Sequence, residues 1–257
     1  MKKRQVDTQL QMQLVGKVCE VCGIPTQLID ENGRETYQDC DCDKKKKIEM
    51  TAESFEQFSK YRGNYENDTF ENFISRNKAE ELLKQKYMLY CQNFELFKSE
   101  GVGVLLYGTA GSGKTYLANC IANEISKKGP VLYFQLDDYV KEIKNGWDAK
   151  EEKLLNLIRE VELIVIDDWG ILNEIKDWRY NVIYNLINTI SLERIPLIVT
   201  TNKDITELDQ NEYQRISDRM NMICNPELLT FPSRRKGVAI KKFGLIMENL
   251  NKDRRLG

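Results

Sequence analysis

The chain has 257 residues, 41% of them hydrophobic and 30% charged, with 38 Lys and Arg against 40 Asp and Glu for a formal net charge of −2. That is the composition of an ordinary soluble protein, long enough to bury a full core in one or two domains, and its charge balance does not mark the whole chain as a nucleic-acid binder. Histidine is absent, which excludes imidazole acid–base catalysis and every His-containing metal site, so any catalytic base must be a carboxylate.

The first residues, MKKRQVDTQLQMQLVGK, are basic but lack the continuous apolar stretch of a signal peptide. No run elsewhere approaches the ~20 apolar residues of a membrane span, so the expected location is the cytoplasm, with no membrane partner. Four of the seven cysteines follow as Cys19-Glu-Val-Cys22 and Cys40-Asp-Cys42, two pairs separated by seventeen residues. Four thiolates in a cytoplasmic chain suit one tetrahedral Zn²⁺ better than disulfides, although the C-x-C second pair departs from a standard zinc ribbon. Gly23 permits a tight turn after the first pair, and Asn32-Gly33 predicts a hairpin between the pairs. A unit of about 50 residues with few large apolar side chains needs such a staple. Cys91, Cys120 and Cys224 stand alone in apolar or helical surroundings and read as buried small hydrophobes.

The KKKK run at 44–47 marks the exit from this unit, and residues 51–98 are expected to form a helical connector. Apolar spacing fits a helix over 48–59, the stretch 62–69 reads as a loop, Phe70 and Phe73 as anchors, and a long amphipathic helix is predicted from about Ser75 to Phe97. Within 99–257 the pattern then alternates: strands at VLLY, VLYFQL, LIVIDD and LIVTTN, separated by helical stretches. Strands separated by helices imply a parallel sheet with helices on both faces, an α/β three-layer domain.

The first of these strands, Val102 to Tyr107, runs into Gly108-Thr109-Ala110-Gly111-Ser112-Gly113-Lys114-Thr115, and a helix is predicted over Thr115 to Lys127. The octapeptide matches GxxxxGK[ST] at every fixed position, in the strand–loop–helix context that makes it a phosphate site. Glycines let backbone N–H groups turn toward the β-phosphate, and the helix N-terminus adds its positive end. Lys114 would reach the β- and γ-phosphates, and the Thr115 hydroxyl would ligate Mg²⁺.

The segment from Asp137 to Lys150 carries Tyr139, Lys141, Lys144 and Trp147, which either stack on and track a single strand of DNA or belong to an ordinary amphipathic helix. Leu163-Ile-Val-Ile-Asp167-Asp168 is a continuous apolar run, as expected of a strand buried on both faces, ending in two carboxylates. Asp167 is expected to hold Mg²⁺ and Asp168 to act as general base for the attacking water. The next buried strand ends at Asn202, placed to position that water or touch the γ-phosphate. Arg215-Ile-Ser-Asp218-Arg219 sets two arginines on one helical face, either as local partners of Asp218 or as an arginine finger donated to a neighbouring subunit's ATP. The last stretch, 230–257, is locally basic, with eight Lys and Arg against two acids.

Taken together, GTAGSGKT, LIVIDDWG, LIVTTN and RISDRM, in this order and spacing, resemble the DnaC/DnaI/IstB branch of AAA+ ATPases, as does TFENF at 69–73. The resemblance covers roughly residues 65–235. It implies ATP-controlled loading of a ring-shaped replicative helicase onto single-stranded DNA during replication initiation, with self-association into an oligomer. IstB members instead assist transposition, and an adaptor that uses ATP only as a switch is a further alternative. By motif position the resemblance makes Arg219 the arginine finger, Arg215 a second interface arginine, and Arg235 the sensor arginine reading the nucleotide bound to its own chain, with Arg234 the competing choice. It also implies a reduced C-terminal lid, and an N-terminal module that contacts the helicase.

Overall fold

The computed structural model describes residues 17–20, 23, 25–29, 33–37, 67–144, 147–170, 177–208 and 214–236, together with 240, 243, 246 and 247. The chain divides into two compact units, Met1–Glu53 and Ser54–Gly257.

In the first unit, β1 (Gln27–Ile29) pairs antiparallel with β2 (Glu35–Tyr37), in the register Leu28 to Thr36. The connection carries Gly33 at φ 75°, a left-handed backbone that suits glycine, so the hairpin expected at Asn32-Gly33 is present. Gly23, at φ 70°, donates its N–H to Cys19 O at 2.8 Å, closing the expected turn after the first cysteine pair. Cys19 is buried. Cys22, Cys40 and Cys42 lie outside the described residues, as does the helix expected over 48–59; among the described residues no cluster of metal-ligating side chains occurs.

The described part of the second unit begins with residues 67–76 and then α1 (Lys78–Gln92) and α2 (Phe94–Glu100). One helix was expected from Ser75 to Phe97; the chain breaks it at Asn93, whose N–H and side-chain Nδ2 both donate to Leu89 O, so a polar side chain caps the last turn. At the other end Asn77 accepts the Glu80 N–H at 2.9 Å, an N-cap. Gly101, at φ 66°, ends α2.

Five parallel strands follow: β3 (Gly103–Gly108), β4 (Val131–Gln135), β5 (Leu163–Asp167), β6 (Leu197–Thr200) and β7 (Cys224–Leu229), in the spatial order β4-β5-β6-β3-β7. The connections carry α3 (Lys114–Ser126), α4 (Leu136–Lys144), α5 (Trp147–Ile158), α6 (Asp177–Leu192), the short α7 (Ile205–Leu208) and α8 (Gln214–Ile223). Alternation along the strands sorts the core into two layers. Ile164 and Ile166 of β5 pack with α4, α5, α6 and α8 residues on one face; Leu163 and Val165 pack with α1 and α3 residues, Phe70 and Phe73 on the other. This is the expected three-layer α/β domain. Cys91, Cys120 and Cys224 are buried in it, as expected.

The strand β7 was not foreseen. Its sequence, CNPELL, has no apolar run and contains Pro226, features that an edge strand tolerates because it needs only one ladder of hydrogen bonds and one covered face. A second correction concerns Tyr139. Read as a base-stacking candidate, it is 3% exposed and stacks on Phe134 inside the core. The apolar face of α4 that carries Leu136, Tyr139, Val140 and Ile143 is the face turned to the sheet. Lys141 and Lys144 remain exposed, and the Trp147 side chain lies outside the described residues. The reduced lid likewise falls almost wholly outside the described residues.

Candidate nucleotide site

The order of the strands decides which residues meet. β6 lies between β3, which leads into the phosphate loop, and β5, which ends in the two acids. All three are parallel, so their C-terminal ends open into one crevice, where ligands bind in open α/β sheets. A cleft of about 540 Å³ occupies it, lined by the loop residues Ala110, Gly111, Gly113, Lys114 and Thr115, by Asp167 and Asp168, by Thr200 and Asn202, and by Arg234 and Arg235. The structure therefore gathers at one place residues up to 167 positions apart in the chain, Asp68 to Arg235. Thr201, Gln135, Asp68 and Tyr116 complete the walls.

The loop has the backbone that its glycines allow. Gly108 stands at φ 120° and Gly111 at φ 78°; a Cβ at Gly108 would meet Leu229 O at 2.4 Å, and one at Gly111 would meet Ser233 Oγ at 2.3 Å. Lys114 opens α3, is buried, and donates to Gly108 O at 2.9 Å and Thr109 O at 2.8 Å, so its ammonium lies across the loop. Burial pushes its pKa down, the charges of Asp168 and Asp167 oppose that, and Arg235 adds to it: three charged side chains face this one amine.

Asp167 is buried at 6% exposure and accepts hydrogen bonds at Oδ1 from Thr115 Oγ1 at 2.9 Å and Thr200 Oγ1 at 2.6 Å. Asp168 lies just past the end of β5 at φ 54°, a left-handed conformation uncommon outside glycine and tolerated best by Asn and Asp. Its N–H donates to Thr200 Oγ1 at 2.9 Å, and the following Trp169 N–H donates to Thr200 O at 2.7 Å. The turn therefore exposes the Asp168 carboxylate on the cleft while Trp169 is driven into the core at 3% exposure. Thr200, 2% exposed, is the residue that sequence reading missed. Its hydroxyl serves both acids at once; the available signal was the polar Thr-Thr-Asn ending of an otherwise apolar strand. Asn202 is exposed on the cleft beside them.

Arg235 faces the cleft, and among the described residues its side chain makes no hydrogen bond or ion pair. Arg234 also reaches the cleft, but its guanidinium is engaged by Glu80 and by Ile74 O. Arg215 and Arg219 lie on α8, away from the cleft lining; Arg215 is exposed, Arg219 half-buried with Nη1 at 4.0 Å from Met222 Sδ, and among the described residues neither forms an ion pair with Asp218 or any other acid.

These residues fit a Mg²⁺-bound nucleotide. Thr115 Oγ1 and Asp167 Oδ1 are adjacent oxygens of the kind a hard cation takes. Two polar atoms buried beside the loop, Ser112 Oγ and Arg234 Nε, have no partner among the described residues, as expected where phosphate oxygens would complete them.

Comparison with known proteins gives the same picture. The family model of the IstB-like ATP-binding proteins matches residues 64–218. The chain is 31% identical over 226 residues to the uncharacterized protein YqaM of Bacillus subtilis, covering 82% of this chain and 67% of the relative. It is 27% identical over 162 residues to the replicative helicase loader DnaC of Escherichia coli K12, covering 62% of this chain and 64% of that protein, so the chain spans under two thirds of the loader's length. Among solved structures, the crystal structure of the DnaC helicase loader superposes with a TM-score of 0.56 at 20% identity, over 65% of this chain and 98% of the other, which establishes the shared fold.

Proposed function

Because this chain belongs to the IstB-like ATP-binding family, we propose that it is an ATPase that loads a replicative ring helicase onto single-stranded DNA. One observation carries the ATPase part: Lys114, Thr115, Asp167, Asp168, Asn202 and Arg235, from four separate stretches of chain, line a single cleft. Lys114 and the loop N–H groups bind the phosphates, and Arg235 reads the nucleotide from the C-terminal side. Thr115 and Asp167 hold Mg²⁺, which supplies neutralisation of charge on the phosphate oxygens. Asp168 takes a proton from the attacking water as its oxygen bonds to the γ-phosphorus and the bond to the bridging oxygen breaks, releasing ADP and phosphate. Asn202 orients that water.

Arg219 and Arg215 are the residues left outside the cleft, and Arg219, half-buried and without an ion pair among the described residues, is available as a finger on a neighbouring subunit's ATP. That reading carries assembly into an oligomer with it. The helicase as a partner rests on the likeness to the E. coli helicase loader, and single-stranded DNA on what the resemblance of the motifs to the DnaC/DnaI/IstB branch implies. The four cysteines Cys19, Cys22, Cys40 and Cys42 are proposed to hold one structural Zn²⁺ in the N-terminal unit, supported by their spacing and by the turn and hairpin that separate the pairs.

The test pairs two variants. Lys114→Ala is expected to lose ATP binding, since no other cation in the loop replaces it. Asp168→Asn is expected to keep binding and lose hydrolysis. Hydrolysis by Asp168→Asn at the wild-type rate would remove the base assignment. Co-purification with a replicative helicase supports the loader role; co-purification with a transposase in its place would move the protein to the transposition branch.

A further inference from the structure

Glu80 is completely buried, yet the proposed hydrolysis makes no use of it. Its carboxylate is shared between two arginines. Oε1 accepts from Arg76 Nε at 2.9 Å and Nη2 at 2.6 Å; Oε2 accepts from the Arg76 N–H at 2.8 Å and from Arg234 Nη2 at 2.6 Å. A buried carboxylate is tolerated only when its charge is met and its lone pairs are filled, and here both conditions hold. Burial pushes the carboxyl's pKa up, but the hydrogen bonds from Arg76 and the charges of Arg234 and Arg76 outweigh that and hold it below its ordinary value.

Arg234 comes from the other end of the domain, 154 residues on. Its guanidinium also donates to Ile74 O at 3.0 Å and lies 4.8 Å from the centre of the Phe73 ring, a cation–π contact. Its backbone N–H donates to Gly111 O at 2.9 Å. The side chain is thus held by residues 73–80 while the backbone is held by the phosphate loop. Ser233, its neighbour, packs where a side chain on Gly111 would otherwise be, and its Oγ accepts the Arg235 N–H at 3.3 Å. The whole turn 233–235 lies on the phosphate loop, with Arg235 free to face the cleft.

We propose that Glu80 is a positioning residue of the nucleotide site, acting through Arg234 to seat the 233–235 turn on the phosphate loop so that Arg235 faces the bound phosphates. The inference rests on the ATP-site reading above. It also assigns the two neighbouring arginines different tasks. Arg234, whose Nη1 and Nη2 donate to Ile74 O and Glu80 Oε2, is the anchor; Arg235 is the reader.

The experiment is ATP binding to the full chain with Mg²⁺, measured by calorimetry alongside thermal unfolding. Glu80→Gln is expected to weaken ATP about tenfold or more, on the scale of losing a supporting hydrogen-bond partner behind a ligand-binding group. A merely structural role would lower the unfolding temperature and leave ATP affinity where it was. The double variant Glu80→Gln with Arg235→Ala separates the two further: if Glu80 acts through the turn that presents Arg235, the double variant binds ATP no more weakly than Arg235→Ala alone, whereas losses that multiply would overturn the proposal. Should Glu80→Gln fail to fold, Glu80→Met together with Arg234→Met removes the buried carboxylate and the guanidinium it holds, and leaves only Arg76, whose side chain is 34% exposed, to be met by water. That variant is expected to fold and to bind ATP at least tenfold more weakly than wild type; wild-type affinity would overturn the proposal. Wild-type protein that binds no ATP would instead count against the ATP-site reading itself.

Discussion

Thr200→Val replaces a hydroxyl with a methyl group of nearly the same shape, so its effect isolates two hydrogen bonds. The first, to Asp167 Oδ1 at 2.6 Å, is charge-assisted and buried at both ends, and is worth about 1.5–3 kcal/mol. The second, from the Asp168 N–H at 2.9 Å, leaves an unsatisfied donor when lost; because Asp168 is exposed, water reaches that amide and the cost falls to about 1 kcal/mol. Together they predict a loss of about 2–4 kcal/mol, which lowers Tm by roughly 5–15 °C in a domain of this size. Function should suffer separately. With Thr200 gone, Asp167 is held by Thr115 alone and the Asp168 turn loses its pin to β6. Positioning contacts of this kind are typically worth 10–100-fold in metal affinity or activity. The Mg²⁺ concentration giving half-maximal ATP hydrolysis should therefore rise by about that factor, measured by phosphate release in a magnesium titration. Thr200→Ser keeps the hydroxyl and should recover most of both losses. A Thr200→Val protein with unchanged Tm and unchanged magnesium dependence would refute the argument that this hydroxyl organises the two acids.

Mixing Arg219→Ala chains with Lys114→Ala chains is expected to restore part of the hydrolysis that each lacks, since the first supplies an intact phosphate loop and the second the arginine; a mixture that stays at background, with a destabilised Arg219→Ala chain, would make Arg219 a structural residue of its own chain. Elemental analysis of protein purified without chelator should find one zinc per chain, lost on changing Cys19→Ser together with Cys42→Ser, while ATP binding persists because the cysteines and the cleft belong to different compact units. Tyr139→Phe removes a buried hydroxyl that has no partner among the described residues, so unfolding measurements should show stability unchanged or raised by up to about 1 kcal/mol. The same variant should bind single-stranded DNA as wild type does; a weakened complex would contradict the burial of that ring.

The nucleotide site was legible in the sequence where its chemistry is local. GTAGSGKT is contiguous, and glycine, lysine and threonine at those spacings have one physical use in common, the wrapping of a phosphate by backbone and cation. The paired acids were legible because four buried apolar residues followed by two carboxylates conflict unless the strand end faces a ligand. The hairpin at Gly33 was legible for the same local reason. Tertiary structure alone decided what depends on distant partners. Whether Tyr139 faces the core or solvent is a matter of which side of α4 meets the sheet, and periodicity marks a face without saying what covers it. β7 carries too little apolar pattern to announce itself and is defined by its pairing with β3. The adjacent arginines 234 and 235 are indistinguishable by composition; a buried glutamate 154 residues upstream separates them. Thr200 gained its role only when β6 came to lie between the phosphate-loop strand and the acid strand, which placed one hydroxyl within reach of both carboxylate-bearing residues. Sequence fixes the chemistry each residue can offer, while a hydrogen bond acts only over about 3 Å, a distance that folding alone sets between residues far apart in the chain.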